Sequence, residues 1–194
     1  VREHCTGPSH AMSTSTLDQF LVDQDVPGIS GVDTRAITRR LRRRGVMMGA
    51  IAVDESADEA RSRLHEATPY GDVDFVAKVS TEAPYEWSQP VPGTETDAVT
   101  HRIVVDDYGL KYNILRTLRT KGCEVIAVPA GTSSGEIIER EPDGVVLSPG
   151  PGDPELLDYA VDTAKGLLGR VPILGICLGN QVLGRAFGGK TFKL

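Results

Sequence analysis

The stretch Val171-Pro172-Ile173-Leu174-Gly175-Ile176-Cys177-Leu178-Gly179 places one cysteine between two glycines, directly after a short apolar run. The apolar run 171–174 predicts a buried strand, and the segment 178–187 predicts a helix that begins at once. Cys177 stands at the apex of the turn between them. This strand–turn–helix layout is that of a nucleophile elbow, with sulfur in place of a serine oxygen.

The segments before this turn repeat the same alternation of strand and helix. Strands are predicted over 102–105, 123–128, 144–147 and 171–174, and helices over 110–121, 133–140, 155–168 and 178–187. The strands are continuous apolar runs, which is typical of parallel strands buried on both faces. The pattern predicts a doubly wound α/β domain whose active crevice lies at the carboxyl ends of the strands.

The first half of the chain follows a different pattern. Helices are predicted over 13–24, 33–44 and 54–67, with a turn and short strand over 26–32 and a second strand over 46–53. Pro84, Pro90 and Pro92 interrupt the pattern that follows, as expected of a boundary. We therefore expect a domain over 1–80, a linker over 81–101 and a second domain over 102–194.

The composition excludes several classes of protein. The 194 residues carry a formal net charge of −6, which argues against a general nucleic-acid partner. Three widely spaced cysteines suggest neither a disulfide framework nor a metal site, and they favour a reducing, cytoplasmic location. No apolar run approaches the roughly 20 residues that a transmembrane helix needs, so no membrane partner is expected.

Two loops are expected at the carboxyl ends of the strands. The loop Ser148–Pro154 contains Gly150 and Gly152, whose backbone N–H groups can approach an anion or oxyanion closely. A rigid connector without a ligand is the alternative. In the second loop, Cys177 begins a helix, where the helix dipole stabilises a thiolate, and the N–H of Leu178 can form half of an oxyanion hole. A buried structural cysteine is the alternative there.

The order of these two loops resembles the class I glutamine amidotransferases. The matching blocks are 148–154, Ser-Pro-Gly-Pro-Gly-Asp-Pro, and 175–181, Gly-Ile-Cys-Leu-Gly-Asn-Gln. Two earlier blocks, 26–42 and 106–116, resemble the small subunit of carbamoyl-phosphate synthetase. The resemblance implies a partial, small N-terminal α/β domain followed by the first half of a doubly wound, mostly parallel amidotransferase domain.

The resemblance also implies an activity and residue roles. Cys177 would be the nucleophile that forms a γ-glutamyl thioester, and ammonia would pass to a large synthetase subunit for carbamoyl phosphate synthesis, in the pyrimidine or arginine pathway. Backbone groups of Gly150, Gly152 and Leu178 would hold glutamine or its oxyanion, and Gln181 would contact glutamine. No metal or cofactor is expected in this chain, since ATP and Mg would bind the large subunit.

Two departures from the family limit this expectation. Asn180 stands where many members carry histidine, but that residue is not the family's catalytic base, so little effect on the chemistry is expected. The second departure weighs more: no histidine follows Cys177, although the family's H-x-E pair comes after its cysteine, and the chain begins with Val1 and not with methionine. We therefore expect a fragment cut at both ends that is inactive alone. Three alternatives stay open: an amidotransferase of another pathway, a non-catalytic assembly module that docks a partner synthetase, and a thiol-dependent α/β-hydrolase.

Overall fold

A computed structural model of the chain describes residues 1–192. Contacts divide the chain into two compact units, the first over Val1–Tyr70 and the second beginning at Gly71. The predicted limits of the two domains, 1–80 and 102–194, stay a prediction.

The first unit contains three helices. They are α1 (Leu17–Asp23), α2 (Thr34–Arg44) and α3 (Ala57–Glu66). Each begins at a residue whose side-chain oxygen accepts a backbone N–H of the first turn, namely Thr16, Asp33 and Ser56. None of residues 1–70, all of which are described, is buried.

The two strands predicted in this unit are wrong. Residues 26–32 and 46–53 form no strand, and Met48, Ile51 and Val53 are exposed. An apolar run becomes a strand only when a neighbouring strand pairs with its backbone groups. Residues 1–70 offer no such partner, since their regular elements are all helical.

The second unit is built on a five-stranded sheet. Its strands are β1 (Tyr85–Trp87), β2 (His101–Asp107), β3 (Cys123–Pro129), β4 (Gly144–Leu147) and β5 (Ile173–Gly175), in the order β1-β3-β2-β4-β5. β2 to β5 are parallel, whereas β1 pairs antiparallel with β3. The predicted α/β class with a mostly parallel sheet is confirmed.

Five helices accompany the sheet in the part of the chain that the structure describes. They are α4 (Val76–Val79), α5 (Tyr112–Thr120), α6 (Ser134–Ile138), α7 (Asp158–Leu167) and α8 (Leu178–Ala186). α7 begins later than predicted, because Pro154–Leu156 forms a separate 3₁₀ turn in which the Asp153 carboxylate accepts the N–H of Glu155. α6 is shorter than the predicted 133–140 and ends at Ile138.

Helices pack on both faces of the sheet, as the doubly wound class requires, but the edge strand β5 is not the buried strand predicted over 171–174, because Leu174 is 58% exposed. On one face, side chains of α6, α7 and α8 pack on even-numbered β2 residues such as Val104. On the other face, Leu115 of α5 packs against Val105 and Val125. The chain runs from β2 to β3 on one side and then returns to β4 on the other side of β2. The carboxyl ends of β2 and β4 therefore border a topological switch point, where ligands bind in such sheets.

Part of the predicted linker 81–101 is structured. β1 lies within it and pairs with β3, with Glu86 opposite Ile126. The N–H of Thr81 donates to the Asp107 carboxylate at 3.1 Å, and the Trp87 ring stacks on the Tyr112 ring at 5.2 Å. The three residues of β1 carry too little pattern to predict a strand among the surrounding prolines.

Candidate active site

Cys177 lies where the elbow prediction places it, between β5 and α8. It is the N-cap of α8, with φ 52° and ψ −110°, and its side chain is exposed. A non-glycine residue with positive φ is strained, and such strain persists only where the surrounding structure enforces it. The elbow thus holds a thiol at the surface in one enforced backbone conformation.

The two flanking glycines explain how this turn is possible. A Cβ on Gly175 would lie 2.6 Å from the carbonyl oxygen of Gly179, and a Cβ on Gly179 would lie 2.1 Å from the carbonyl oxygen of Leu147. Both distances are far below van der Waals contact. The helix therefore begins in direct backbone contact with the strands, and only glycine fits at either position.

Leu178 and Gln181 follow Cys177 on α8. Leu178 is the first helical residue, so its N–H belongs to the first turn, which has no intrahelical acceptors. Its side chain is buried beneath the turn. Gln181 donates its N–H to the Cys177 carbonyl at 3.2 Å, and its exposed side chain shares the helix face of Cys177, four residues on.

The glycine-rich loop reaches the same edge of the sheet. Leu147 of β4 pairs with Gly175 of β5, so the loop after β4 and the elbow after β5 emerge side by side. A Cβ on Gly150 would lie 2.1 Å from the Tyr108 carbonyl oxygen and 2.9 Å from Leu178 Cδ2. Gly150 is thus wedged between the end of β2 and the first residue of α8.

Gly152, two residues later, has a φ of 98°. A Cβ on Gly152 would lie 3.6 Å from Phe75 Cδ2, which is ordinary van der Waals contact. Phe75 precedes α4, in a segment for which the sequence predicts no site role. The structure thus brings together Cys177, Leu178 and the two glycines at one edge. Their proposed contacts with a substrate stay a prediction.

Ser148 is a residue of this site that sequence reasoning left without a role. It is fully buried, its Oγ accepts the N–H of Tyr108 at 2.8 Å, and its hydroxyl donates to the Pro149 carbonyl at 2.9 Å. Its own N–H donates to the Asp106 carbonyl, and its carbonyl accepts the N–H of Gly179. The signal available in the sequence was a polar residue directly after the apolar strand 144–147.

A buried polar pair supports the end of β2. The Tyr108 hydroxyl donates to Asp106 Oδ2 at 2.9 Å, and both side chains are fully buried. Burial raises the pKa of the Asp106 carboxyl well above its ordinary value, an effect that the Tyr108 hydrogen bond opposes. Burial, followed by the charge of Asp106, also raises the pKa of Tyr108. The carboxyl is therefore held towards its neutral form beneath the glycine-rich loop.

No histidine of the sheet unit lies near Cys177. From Gly71 onward the sequence has one histidine, His101, which begins β2 at the amino end of the parallel strands. The elbow lies at the carboxyl ends, across the sheet. Within residues 1–192, no group of three His, Cys, Asp or Glu side chains could hold a metal ion, and no helix is long and apolar enough to cross a membrane.

An elbow cysteine beside a glycine-rich loop, on a doubly wound sheet, defines an amidotransferase-like domain. Residues 103–194 match the family described as Glutamine amidotransferase class-I. Residues 1–51 match the domain described as Carbamoyl-phosphate synthase small chain, CPSase domain.

Curated relatives align over the whole chain. It is 45% identical to a carbamoyl phosphate synthase small chain of Methanopyrus kandleri over 199 residues, which cover 100% of this chain and 53% of that protein. A relative of that name from Nostoc sp. is 43% identical, with 100% and 53% covered. A chloroplastic one from Arabidopsis thaliana is 38% identical, with 100% and 47% covered.

The chain belongs to the carbamoyl phosphate synthase small chain family. The two domain matches and the relatives together confirm the resemblance drawn from the sequence. The chain spans about half the length of the curated relatives it matches.

Proposed function

We propose that this chain is part of a subunit that hydrolyses glutamine and supplies ammonia to a synthetase for carbamoyl phosphate formation. The observation that carries the proposal is the strained, exposed Cys177 at the N-terminus of α8, beside the loop that holds Gly150. The match of residues 1–51 supports carbamoyl phosphate synthesis over another amidotransferase pathway.

The proposed chemistry is nucleophilic substitution at a carboxamide. The Cys177 thiolate attacks the amide carbon of glutamine, and the oxygen becomes an oxyanion that the N–H of Leu178 and the glycine loop would stabilise. The C–N bond then breaks, the nitrogen takes up a proton and leaves as ammonia, and a γ-glutamyl thioester remains. Water attacks the thioester, which releases glutamate and restores the thiol.

The proton transfers need an acid–base group near the thiol. His101 stands at the opposite edge of the sheet, and no histidine follows Cys177 in the sequence. Since none of the four histidines of the chain lies in a block that resembles the family, we place this group outside residues 1–194 and propose that the chain alone is inactive. An assay of ammonia release by residues 1–194 tests this, because turnover comparable with that of the full-length protein would contradict it.

The remaining parts of the proposal concern the partner. A large synthetase subunit would receive the ammonia and would bind ATP and Mg, while this chain binds no cofactor. Carbamoyl phosphate would then serve pyrimidine or arginine synthesis. The cytoplasmic location stays a prediction, and two relatives are named as chloroplastic.

Substitution of the cysteine in the full-length protein tests the proposal. Cys177→Ala should abolish ammonia release from glutamine and covalent labelling by a glutamine-analogue electrophile. Cys123→Ala is the matched control, because Cys123 begins β3, at the amino end of the sheet. A Cys177→Ala protein that still releases ammonia, or a wild-type protein that releases none, would refute the proposed function. The second result would favour the non-catalytic assembly module.

A further inference from the structure

We propose that Ser148 and Arg185 are positioning residues that pin the two ends of the glycine-rich loop: the Ser148 hydroxyl ties its start to the end of β2, beside the backbone bond to the elbow helix α8, and the Arg185 guanidinium ties its end to α8. The loop between them would then keep its N–H donors at a fixed distance from Cys177. The catalytic consequence rests on the proposed function, whereas the pinning itself does not.

Ser148 forms the first pin. Its carbonyl accepts the N–H of Gly179, in the first turn of α8, at 3.2 Å. Its hydroxyl holds the end of β2 by accepting the Tyr108 N–H, and it holds the loop by donating to Pro149. Ser148 is fully buried, so the loss of its hydroxyl would leave the Tyr108 N–H without its acceptor in a dry site. One side chain thus joins β2 to the loop, and the same residue's carbonyl joins α8.

Arg185 forms the second pin, two turns further along α8. Its Nη1 donates to the Pro154 carbonyl at 2.6 Å, and its Nη2 donates to Asp158 Oδ1 at 2.8 Å. The side chain is only 21% exposed, so the guanidinium is well shielded although Asp158 faces solvent. A planar guanidinium with two acceptors in fixed directions orients the groups that it contacts. The last residue of the loop is therefore fixed to the same helix as the first.

The segment between the pins has little freedom of its own. Pro149 and Pro151 restrict its backbone, and Gly150 is wedged between the Tyr108 carbonyl and Leu178 Cδ2. A misplacement of about 1 Å at a catalytic site can cost roughly 100-fold in rate. A change in either pin would be transmitted to the position of Gly150 and Gly152 relative to Cys177, although neither pin touches the substrate.

The test compares two pin variants with two matched controls in the full-length protein. Ser148→Ala deletes the buried hydroxyl, and its control Thr163→Val deletes a buried hydroxyl of α7 that donates to the Thr132 carbonyl at 3.0 Å. Arg185→Gln deletes a guanidinium bound to one carbonyl and one carboxylate. Its control is Arg102→Gln, because Arg102 binds the Arg140 carbonyl and the Glu124 carboxylate at the start of β2.

Two readouts separate pinning from chemistry. Hydrogen exchange is measured on the peptide 148–154, in which the prolines have no amide hydrogen. We expect both pin variants to speed exchange there at least about tenfold, and both controls to leave it within about twofold. For ammonia release, we expect kcat/KM for glutamine to fall about 10- to 100-fold in the pin variants, while alkylation of Cys177 by iodoacetamide stays at the wild-type rate.

The outcomes are distinguishable. Unchanged exchange in both pin variants, or equal acceleration in the controls, overturns the pinning. Faster exchange with unchanged kcat/KM overturns the positioning role. A wild-type protein that releases no ammonia refutes the proposed function and with it the positioning role, while the exchange result still decides whether the loop is pinned.

Discussion

At the scale of single residues, the backbone is strained at Cys177, where the chemistry is proposed to take place. Cys177 is one of four non-glycine residues with positive φ among residues 1–192, and its ψ of −110° lies outside the left-handed helical region that non-glycine residues tolerate. Conformations of this kind cost about 1–3 kcal/mol. Because the Cys177 side chain is exposed, burial of the thiol does not offset the free-energy cost of this backbone conformation.

Replacement of this cysteine by glycine should therefore stabilise the protein. Cys177→Gly removes the backbone strain, but glycine has a larger conformational entropy in the unfolded chain, which offsets part of the gain. The net effect should be a rise of about 1 kcal/mol in the free energy of unfolding. Cys177→Ala removes the same thiol but keeps the strain, and should stay within about 0.5 kcal/mol of the wild type. Urea unfolding of the three proteins measures both values. Equal stability of the two variants would contradict the strained elbow.

Asp106 should make stability depend on pH. Burial raises the pKa of its carboxyl above the ordinary value of 3.8, so the folded protein holds this proton more tightly than the unfolded chain does. The contribution of this group is complete below pH 3.8 and is lost as the pH rises through the folded-state pKa. Asp106→Asn stays neutral throughout, so the stability of this variant relative to the wild type should grow from pH 4 towards pH 8.

Urea unfolding at several pH values measures this difference, with Tyr108→Phe as a companion variant. The Tyr108 hydroxyl lowers the pKa of Asp106, so its loss should raise that pKa further and extend the fall in stability to higher pH. Parallel pH profiles for the wild type and Asp106→Asn would contradict a neutral buried carboxyl.

At the scale of elements, two glycines of α8 allow the effect of helix propensity on stability to be measured separately from the effect of packing. Gly179 and Gly184 lie on this one helix, and alanine is favoured over glycine by about 1 kcal/mol in a helix interior. A Cβ on Gly184 meets nothing within 4 Å, whereas one on Gly179 would lie 2.1 Å from the Leu147 carbonyl oxygen. Gly184→Ala should raise the free energy of unfolding by about 0.5–1 kcal/mol.

Gly179→Ala should do the opposite, because a collision with backbone must be relieved by moving α8 away from β4. We expect a loss of about 1–3 kcal/mol, together with weaker labelling of Cys177 by a glutamine analogue. Thermal unfolding and labelling of the two variants provide the comparison. A stabilised Gly179→Ala protein would show that the helix does not begin in contact with the strands.

The elements also show which parts of the fold could be predicted from the sequence. Each of the strands β2 to β4 contains a continuous apolar run and is followed by a helix, so local pattern and tertiary pairing agree. The equally apolar run 46–53 forms no strand, because pairing is decided by residues distant in sequence. The elbow and its glycines follow from a local motif. By contrast, Ser148 contacts Tyr108 and Arg185 contacts Pro154, and the residues of each pair are tens of positions apart in the sequence. No local sequence pattern encodes such contacts.

At the scale of the whole chain, burial is distributed unevenly. Every buried residue of the described chain lies in the second unit, around the sheet. The helices α1, α2 and α3 have 7, 11 and 10 residues, and helices shorter than about 12–15 residues are marginal in water without tertiary packing. Caps at Thr16, Asp33 and Ser56 contribute about 1 kcal/mol each, which does not replace a core.

Hydrogen exchange of the 194-residue chain should therefore show two levels of protection. Amides of β2, β3 and β4 open only with global unfolding, because they lie in the middle of the sheet with buried side chains on both faces. Amides of α1, α2 and α3 open locally and should exchange at least about 100-fold faster. Weak urea should remove the remaining protection of α1–α3 before it changes that of the sheet. Equal protection in both units, lost together in urea, would mean that residues 1–70 draw their stability from the sheet.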